Sequence, residues 1–252
     1  CVLLAILYIQ DEHNFDTFHQ KSPHLYRVTT TLIANKAEDP QTSGGTGQVQ
    51  GPAFKAGIPE VEEYVRVMGG AIFGDVRTNQ KAFKLQLLFA DTNFFDVFSF
   101  NLIQGNPKTV LKDVSSVVIT ERTALKFFNS TNAVGKLLHM EADPSAERLG
   151  KPLVISGVVE NPPKNSSIQF DVLHPFSFMQ LSFEDTNWLN AYLGTFVILN
   201  PKADTSLVIK KFNQLHARNA QEQIKDNGYD PETSYGLQPI TDIHLNPLHT
   251  GG

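Results

Sequence analysis

Two groups of side chains in this sequence have the types needed to hold a cation or move a proton. Asp11, Glu12, His13, Asp16 and His19 cluster near the start, and Asp242, His244 and His249 lie near the end. Carboxylate oxygens and imidazole nitrogens suit divalent metals. Their spacing matches none of the zinc templates, which place ligands at fixed short intervals. A solvated linker is therefore the expected role of the first group. Asp91 and Asp96 flank Phe94 and Phe95, and Asp171 follows Phe170. Paired carboxylates can do acid–base work, but single acids at strand ends more often cap or turn the chain, and that is expected here. The run Gly44-Gly45-Thr46-Gly47 lacks the lysine and the strand-to-helix setting of a phosphate-cradling loop, so it predicts a flexible loop. The sequence has no GxxxxGK[ST], GxSxG or HExxH, and its one cysteine has no second to share a metal. No catalytic, cofactor-binding or metal-ligating residue is expected, and no cofactor.

The elements that would carry these residues start from an apolar run. Residues 1–9 have no charge, Gly or Pro, and the character flips at Gln10 to Asp11 and Glu12. A run this short cannot span a bilayer alone, which takes about 20 residues. It also lacks the polar face of a surface helix. Tyr8 at the boundary fits a membrane–water interface. The expectation is that residues 1–10 are the end of a truncated first transmembrane helix and that residues 10–252 are soluble. An ordinary buried strand or helix is a second reading of the same run, and a lipoprotein lipidated at Cys1 is a third, not expected because a lipid-bearing Cys needs no apolar run after it. If both ends approach the membrane together, a joint site of the two acid and histidine groups is geometrically possible, though not expected. The formal charge of −5 over 252 residues gives no electrostatic footprint for nucleic acid and no polybasic membrane patch. With 41% hydrophobic residues the chain can build a real core. Its 18 Phe against 3 Met and 1 Trp suggest aromatic layers in that core.

Along the chain, residues 24–33 alternate as a strand and residues 35–47 form a polar loop. A weak helix is expected at 49–56, closed by Gly57, followed by a strand at 63–68 and a half-buried strand at 82–89. Phe94, Phe95, Phe98 and Phe100 open a different texture. It predicts a strand at 115–120, Thr120 as the N-cap of a helix, a strand at 136–140, an exposed acidic hairpin tip at 142–150 and a strand at 153–159. Gly157 inside that last strand suggests a bulge or a close backbone approach. Beyond the Pro162-Pro163 turn, strands are expected at 168–178 and 195–199. A long helix follows at 206–227, capped by Asp204 or Thr205, and a final strand at 234–245. The order β-α-β, a Phe-rich module, then β-α-β predicts an α+β fold of two similar halves around an insert.

Six ordered segments then resemble a known family. They are Asp11-Glu12 through Phe15-Asp16-Thr17-Phe18-His19 to Tyr26-Arg27-Val28; Gly51-Pro52-Ala53 with Ile58-Pro59-Glu60-Val61-Glu62; Asn93-Phe94-Phe95-Asp96-Val97-Phe98-Ser99-Phe100 with Gly105-Asn106-Pro107; Val118-Ile119-Thr120-Glu121 with Phe127-Phe128 and Val134-Gly135-Lys136; Ser156-Gly157-Val158-Val159 with Pro163-Lys164-Asn165-Ser166-Ser167; and Leu237-Gln238-Pro239-Ile240-Thr241-Asp242. Together they are similar to the periplasmic core domain of MacB/FtsX-like ABC transporter permeases, of the long type common in Bacteroidetes. Two positions depart from the family pattern. Ser167 stands where a histidine is usual, and Asn129 where a glycine is expected.

The resemblance implies two lobes. A porter-like βαβ lobe would be built from both chain ends, residues 11–90 and 170–250, with a smaller mixed α/β, Sabre-like lobe inserted at 91–169. It implies a domain between the first two transmembrane helices of an inner-membrane permease, on the periplasmic side. Such permeases work with a cytoplasmic ABC ATPase and act as mechanotransmitters in efflux, lipoprotein release or partner activation. A permease dimer mate and a periplasmic adaptor or outer-membrane partner are the further partners implied, with the 141–150 tip and the inserted lobe as contact surfaces. The residues alone leave two alternatives open. One is the membrane-anchored extracellular ligand-sensing domain of a signalling receptor, and the other is a membrane-anchored hydrolase.

Overall fold

The computed structural model describes residues 14–33, 39–227 and 232–246. The apolar run 1–9 lies outside them. Among the described residues no helix is long and apolar enough to cross a membrane. In chain order the elements are β1 (Leu25–Ile33), β2 (Gln41–Ser43), α1 (Gln50–Gly57), β3 (Val61–Met68), β4 (Phe73–Arg77), β5 (Ala82–Ala90), α2 (Phe94–Val97) and β6 (Leu102–Gln104). Then come β7 (Ser116–Thr120), α3 (Glu121–Phe128), β8 (Leu137–Glu141), α4 (Pro144–Leu149), β9 (Leu153–Val159), β10 (Val172–Pro175) and α5 (Phe176–Gln180). The chain closes with β11 (Gly194–Leu199), α6 (Thr205–Asn219), α7 (Gln221–Asn227) and β12 (Glu232–Pro239). The fold is mixed α and β, in two compact units: residues 1–66 with 185–252, and residues 67–184. Residues 91–169, expected as an insert, lie inside the second unit. That unit also takes in β4, β5 and β10, because β5 pairs in parallel with β10 (Leu87↔Val172 to Ala90↔Pro175).

In the first unit β1 is central. β12 covers one whole edge of it, antiparallel from Tyr26↔Pro239 to Ile33↔Glu232. β11 and β2 share the other edge, at Leu25–Arg27 and at Thr30–Leu32. β3 lies beyond β11. Helices α1 and α6 pack on this sheet through Phe54 and Phe212, whose rings stack at 4.0 Å. Val28, Val197, Leu199, Val208, Leu215 and Tyr235 close the same cluster. The expected apolar face of α6 is the one buried, and Asp204 caps it, Oδ1 accepting from Ser206 N at 2.9 Å and Leu207 N at 3.4 Å. The single helix expected at 206–227 is two, broken at Ala220. Gln223 of α7 accepts from Trp188 N at 2.7 Å and donates to Thr186 O at 3.1 Å, which holds the last turns against a loop. The final strand ends at Pro239 rather than Leu245. Proline has no N–H to continue a ladder, and a 3-10 turn, Ile240–Asp242, follows it.

The second unit closes on itself. Pairings run β5–β4–β8–β9–β7–β10 and back to β5, with β6 on β9. Closure leaves no open edge in the ring. Its core is aromatic, as the Phe count suggested: Phe94, Phe98, Phe100 and Phe170 pack at centroid distances of 5.0–6.4 Å. β9 has the expected bounds. Its register against β7 jumps between Val117↔Ile155 and Val118↔Gly157, a bulge at Gly157. A Cβ there would lie 3.1 Å from Gln104 O, so bulge and close approach both occur. Two expectations fail. The tip at 142–150 holds helix α4, with Asp143 Oδ1 accepting from Ala146 N at 2.8 Å and Gly150 closing it at φ 65°. Asp-Pro at its start and Gly at its end are the marks of such a helix. The strand expected at 168–178 is β10 alone, and after Pro175 the chain turns into α5.

Candidate functional site

Among the described residues, Asp91, Asp96 and Asp171 do not gather into a metal-binding group. Asp96 pairs with Lys108 at 2.9 Å on the surface. Asp171 is a fastener: Oδ1 accepts from Arg122 Nε of α3 at 2.8 Å and Oδ2 from Gln86 N of β5 at 3.0 Å. The oxygen of Asp91 that binds Phe94 N, at 3.1 Å, is its backbone carbonyl, at the start of α2. Among the described residues no three His, Cys, Asp or Glu are placed to share a metal ion. Asp11, Glu12, His13 and His249 lie outside the described residues. The run Gly44–Gly47, expected as a flexible loop, is buried. Thr46 bridges to Leu193, its hydroxyl meets that of Thr195 at 2.6 Å, and Gly45 O accepts from Thr30 Oγ1 at 2.6 Å.

Asp16 and His19 do come together, inside the protein. Both are buried, with His19 Nε2 3.7 Å from Asp16 Oδ1. Asp16 takes a left-handed backbone, φ 56°, in a run of tight turns: His19 N donates to Asp16 O, Ser22 N to His19 O and His24 N to Lys21 O. Burial pushes the His19 imidazole down to about 4. It is neutral at pH 7, so the pair is polar packing rather than an ion pair. The solvated linker expected for 11–19 is therefore wrong for Asp16 and His19.

This turn region meets the other end of the chain. The Phe15 ring lies flat on His244, centroids 3.4 Å apart with planes 1° from parallel. Beneath it Arg27 of β1 donates to Gln238 Oε1 of β12 from Nε at 3.2 Å and from Nη2 at 2.8 Å. Gln238 Nε2 in turn donates to Asp242 O at 3.3 Å. Arg27 is only 5% exposed, burial lowers its pKa, and its guanidinium lies flush on Gly44, where any Cβ would collide with it. Stack, ladder and Arg27–Gln238–Asp242 relay make a latch between the segment that leads into the first unit and the segment that leads out. The proximity of first and last segments was expected. The latch was not, because strand alternation says nothing of a partner for Arg27 211 residues away.

A profile of the MacB-like periplasmic core domain family matches residues 1–215. No curated protein matches the chain. Among crystal structures it is similar to a domain of a protein described as a permease from Porphyromonas gingivalis. The identity is 26% and the TM-score 0.73, over 88% of this chain and 91% of that one. It shares its fold with the extracellular domain of YknZ, a noncanonic ABC-type transporter from Gram-positive bacteria: 16% identity, TM-score 0.57, 85% and 99% coverage. The periplasmic region of MacB from Actinobacillus actinomycetemcomitans is a further match in fold: 14% identity, TM-score 0.55, 89% and 94% coverage.

Proposed function

The chain belongs to the MacB-like periplasmic core domain family, and from that premise we propose that it transmits motion for an ABC transporter permease, without chemistry of its own. In this reading a cytoplasmic ATPase drives transmembrane helices that flank the domain, and the domain carries the resulting displacement to periplasmic partners. The permease sits in the inner membrane, and a dimer mate and an adaptor or outer-membrane protein are its candidate contacts. The work would be efflux, lipoprotein release or activation of a partner.

The latch supports this most directly. Relative motion of two helices reaches a domain only if the segments they pull on are rigidly joined to its core. Here both segments are held against the two paired strands of one sheet, β1 and β12, and to each other through Phe15 and His244. Strain is passed on by packed, bistable contacts more readily than by loose linkers.

The test uses the full-length permease solubilised from membranes. An ATPase subunit should co-purify with it, and its ATP turnover should respond to Phe15→Ala and His244→Ala while the thermal stability of the domain changes little. Recovery of no ATPase, or turnover indifferent to both substitutions, would count against the reading.

A further inference from the structure

The second unit carries a groove whose lining comes from three separated segments. Thr78, Asn79 and Gln80 of the β4–β5 turn form one rim. Phe127 and Phe128 at the end of α3 form the floor with Leu137, and Lys136 and His139 of the β8 segment form the far rim. Its volume is about 350 Å³, in the lower range of ligand-binding clefts. Phe127 is buried and supports the floor from below, edge-on to Phe83 at 5.0 Å. Leu137 is 49% exposed, and its cross-strand partner Val154 on β9 is exposed beside it. An apolar floor left open to water in this way is where a partner side chain gains most by burial.

Lys136 is the cation of the lining, and Lys126 and Lys81 stand beside the groove. Lys136 Nζ stands 4.4 Å over the Phe128 ring and Lys126 Nζ 4.3 Å over Phe83. Lys81 Nζ is fixed on Lys126 O at 2.8 Å. Among the described residues no carboxylate lines the groove, and the nearby Glu141 is engaged by Arg77. A positive strip on a chain of net charge −5 is a local concentration, not a property of the surface at large. It selects an anionic occupant. Asn79 and Gln80 add exposed amide groups along one side, which match the hydrogen-bonding needs of a peptide backbone and have no use for an acyl chain.

We infer that this groove docks a short acidic segment of a periplasmic partner protein, one aromatic or aliphatic side chain resting on Phe128 and Leu137 and carboxylates held by Lys136 and its neighbouring cations. The inference rests on the reading that this unit meets an extracytoplasmic partner, and adds where and by what chemistry.

The chain, immobilised, is offered a displayed library of random peptides, and the enriched sequences are synthesised for titration by fluorescence anisotropy. Enriched peptides should carry two or more carboxylates beside a large apolar residue, and their binding should weaken as salt rises. Lys136→Glu and Leu137→Asp should each weaken binding by at least about tenfold. Both side chains are exposed, so circular dichroism and melting should stay those of the wild type. Enrichment of nothing, of peptides without carboxylates, or of peptides indifferent to both substitutions overturns the inference. Displacement by sodium dodecanoate with the same dependence on Lys136 would make the groove an acyl site and also overturn it. A permease that co-purifies with its ATPase but whose domain enriches no such peptide keeps the transporter reading and loses this one.

Discussion

His174 is the residue whose chemistry the fold suppresses most. It sits in β10, fully buried, stacked between Phe89 at 5.3 Å and Phe178 at 4.8 Å, and neither ring nitrogen has a hydrogen-bond partner among the described residues. Burial pushes its pKa down to about 3. The folded value lies below the unfolded one, so between them the unfolded chain binds the extra proton. Stability is therefore full above about pH 6.5 and falls as pH drops towards the folded value, by roughly 1 kcal/mol per pH unit. Between about pH 6.5 and 5 few carboxylates titrate, so the buried histidines dominate the slope. His174→Leu should flatten that slope in urea titrations of the second unit. It should also raise stability at pH 7 by about 1 kcal/mol, since the substitution removes unsatisfied polar atoms and keeps an apolar body. A variant with the wild-type slope would show that His174 is not the titrating group. Gln238→Leu makes the opposite case. It takes the acceptor from a buried guanidinium and should cost about 1–3 kcal/mol, seen as a lower melting temperature. Neither residue stood out in the sequence. The strand expected at 168–178 did not set His174 apart, and only the fold shows Arg27 to be buried.

At the scale of elements, local signals were legible wherever a cap or a period decides the matter. Thr120 caps α3, accepting from Thr123 N at 3.4 Å. Asp204 caps α6, and Gly157 marks its bulge. Three of the signals that failed were outweighed by proline. Pro175 stops β10, Pro239 stops β12, and Asp143-Pro144 opens a helix where a hairpin tip was expected. The departure at Asn129 has a physical account. It closes α3 in the left-handed region, φ 53° and ψ 26°, with its N–H on Leu125 O. That is the position where glycine is usual and asparagine the common substitute. Asn129→Gly should be neutral or stabilising by up to about 1 kcal/mol, whereas Asn129→Val should destabilise by about 1–2 kcal/mol, because a branched Cβ crowds the left-handed backbone. Chemical denaturation of the three proteins ranks them. Valine equal to asparagine would mean that the end of the helix rearranges instead.

For the whole molecule, the Phe-rich texture set residues 91–169 apart, and the compact unit 67–184 holds that stretch together with strands on either side of it. Strand pairing between residues as distant as β5 and β10 leaves no local mark. Nor does a groove assembled from residues 78–80, 127–128 and 136–139. The structure makes the second unit self-sufficient in a definite sense. Every strand of the ring β5–β4–β8–β9–β7–β10 finds both neighbours within residues 67–184. The aromatic cluster of Phe94, Phe98, Phe100 and Phe170 belongs to the same stretch. The first unit has no such independence, because β1 needs β11 and β12 from the far end of the chain. A domain is expected to fold alone when its core and its pairings are contiguous in sequence. Residues 67–184 expressed alone should therefore give a dispersed amide spectrum and one cooperative unfolding transition. The slowest hydrogen exchange should fall in β7 and β9, which are buried through most of their length and lie inside the ring. Residues 1–66 expressed alone should show neither. A collapsed, non-cooperative 67–184 fragment would mean that the ring depends on the rest of the chain for its stability.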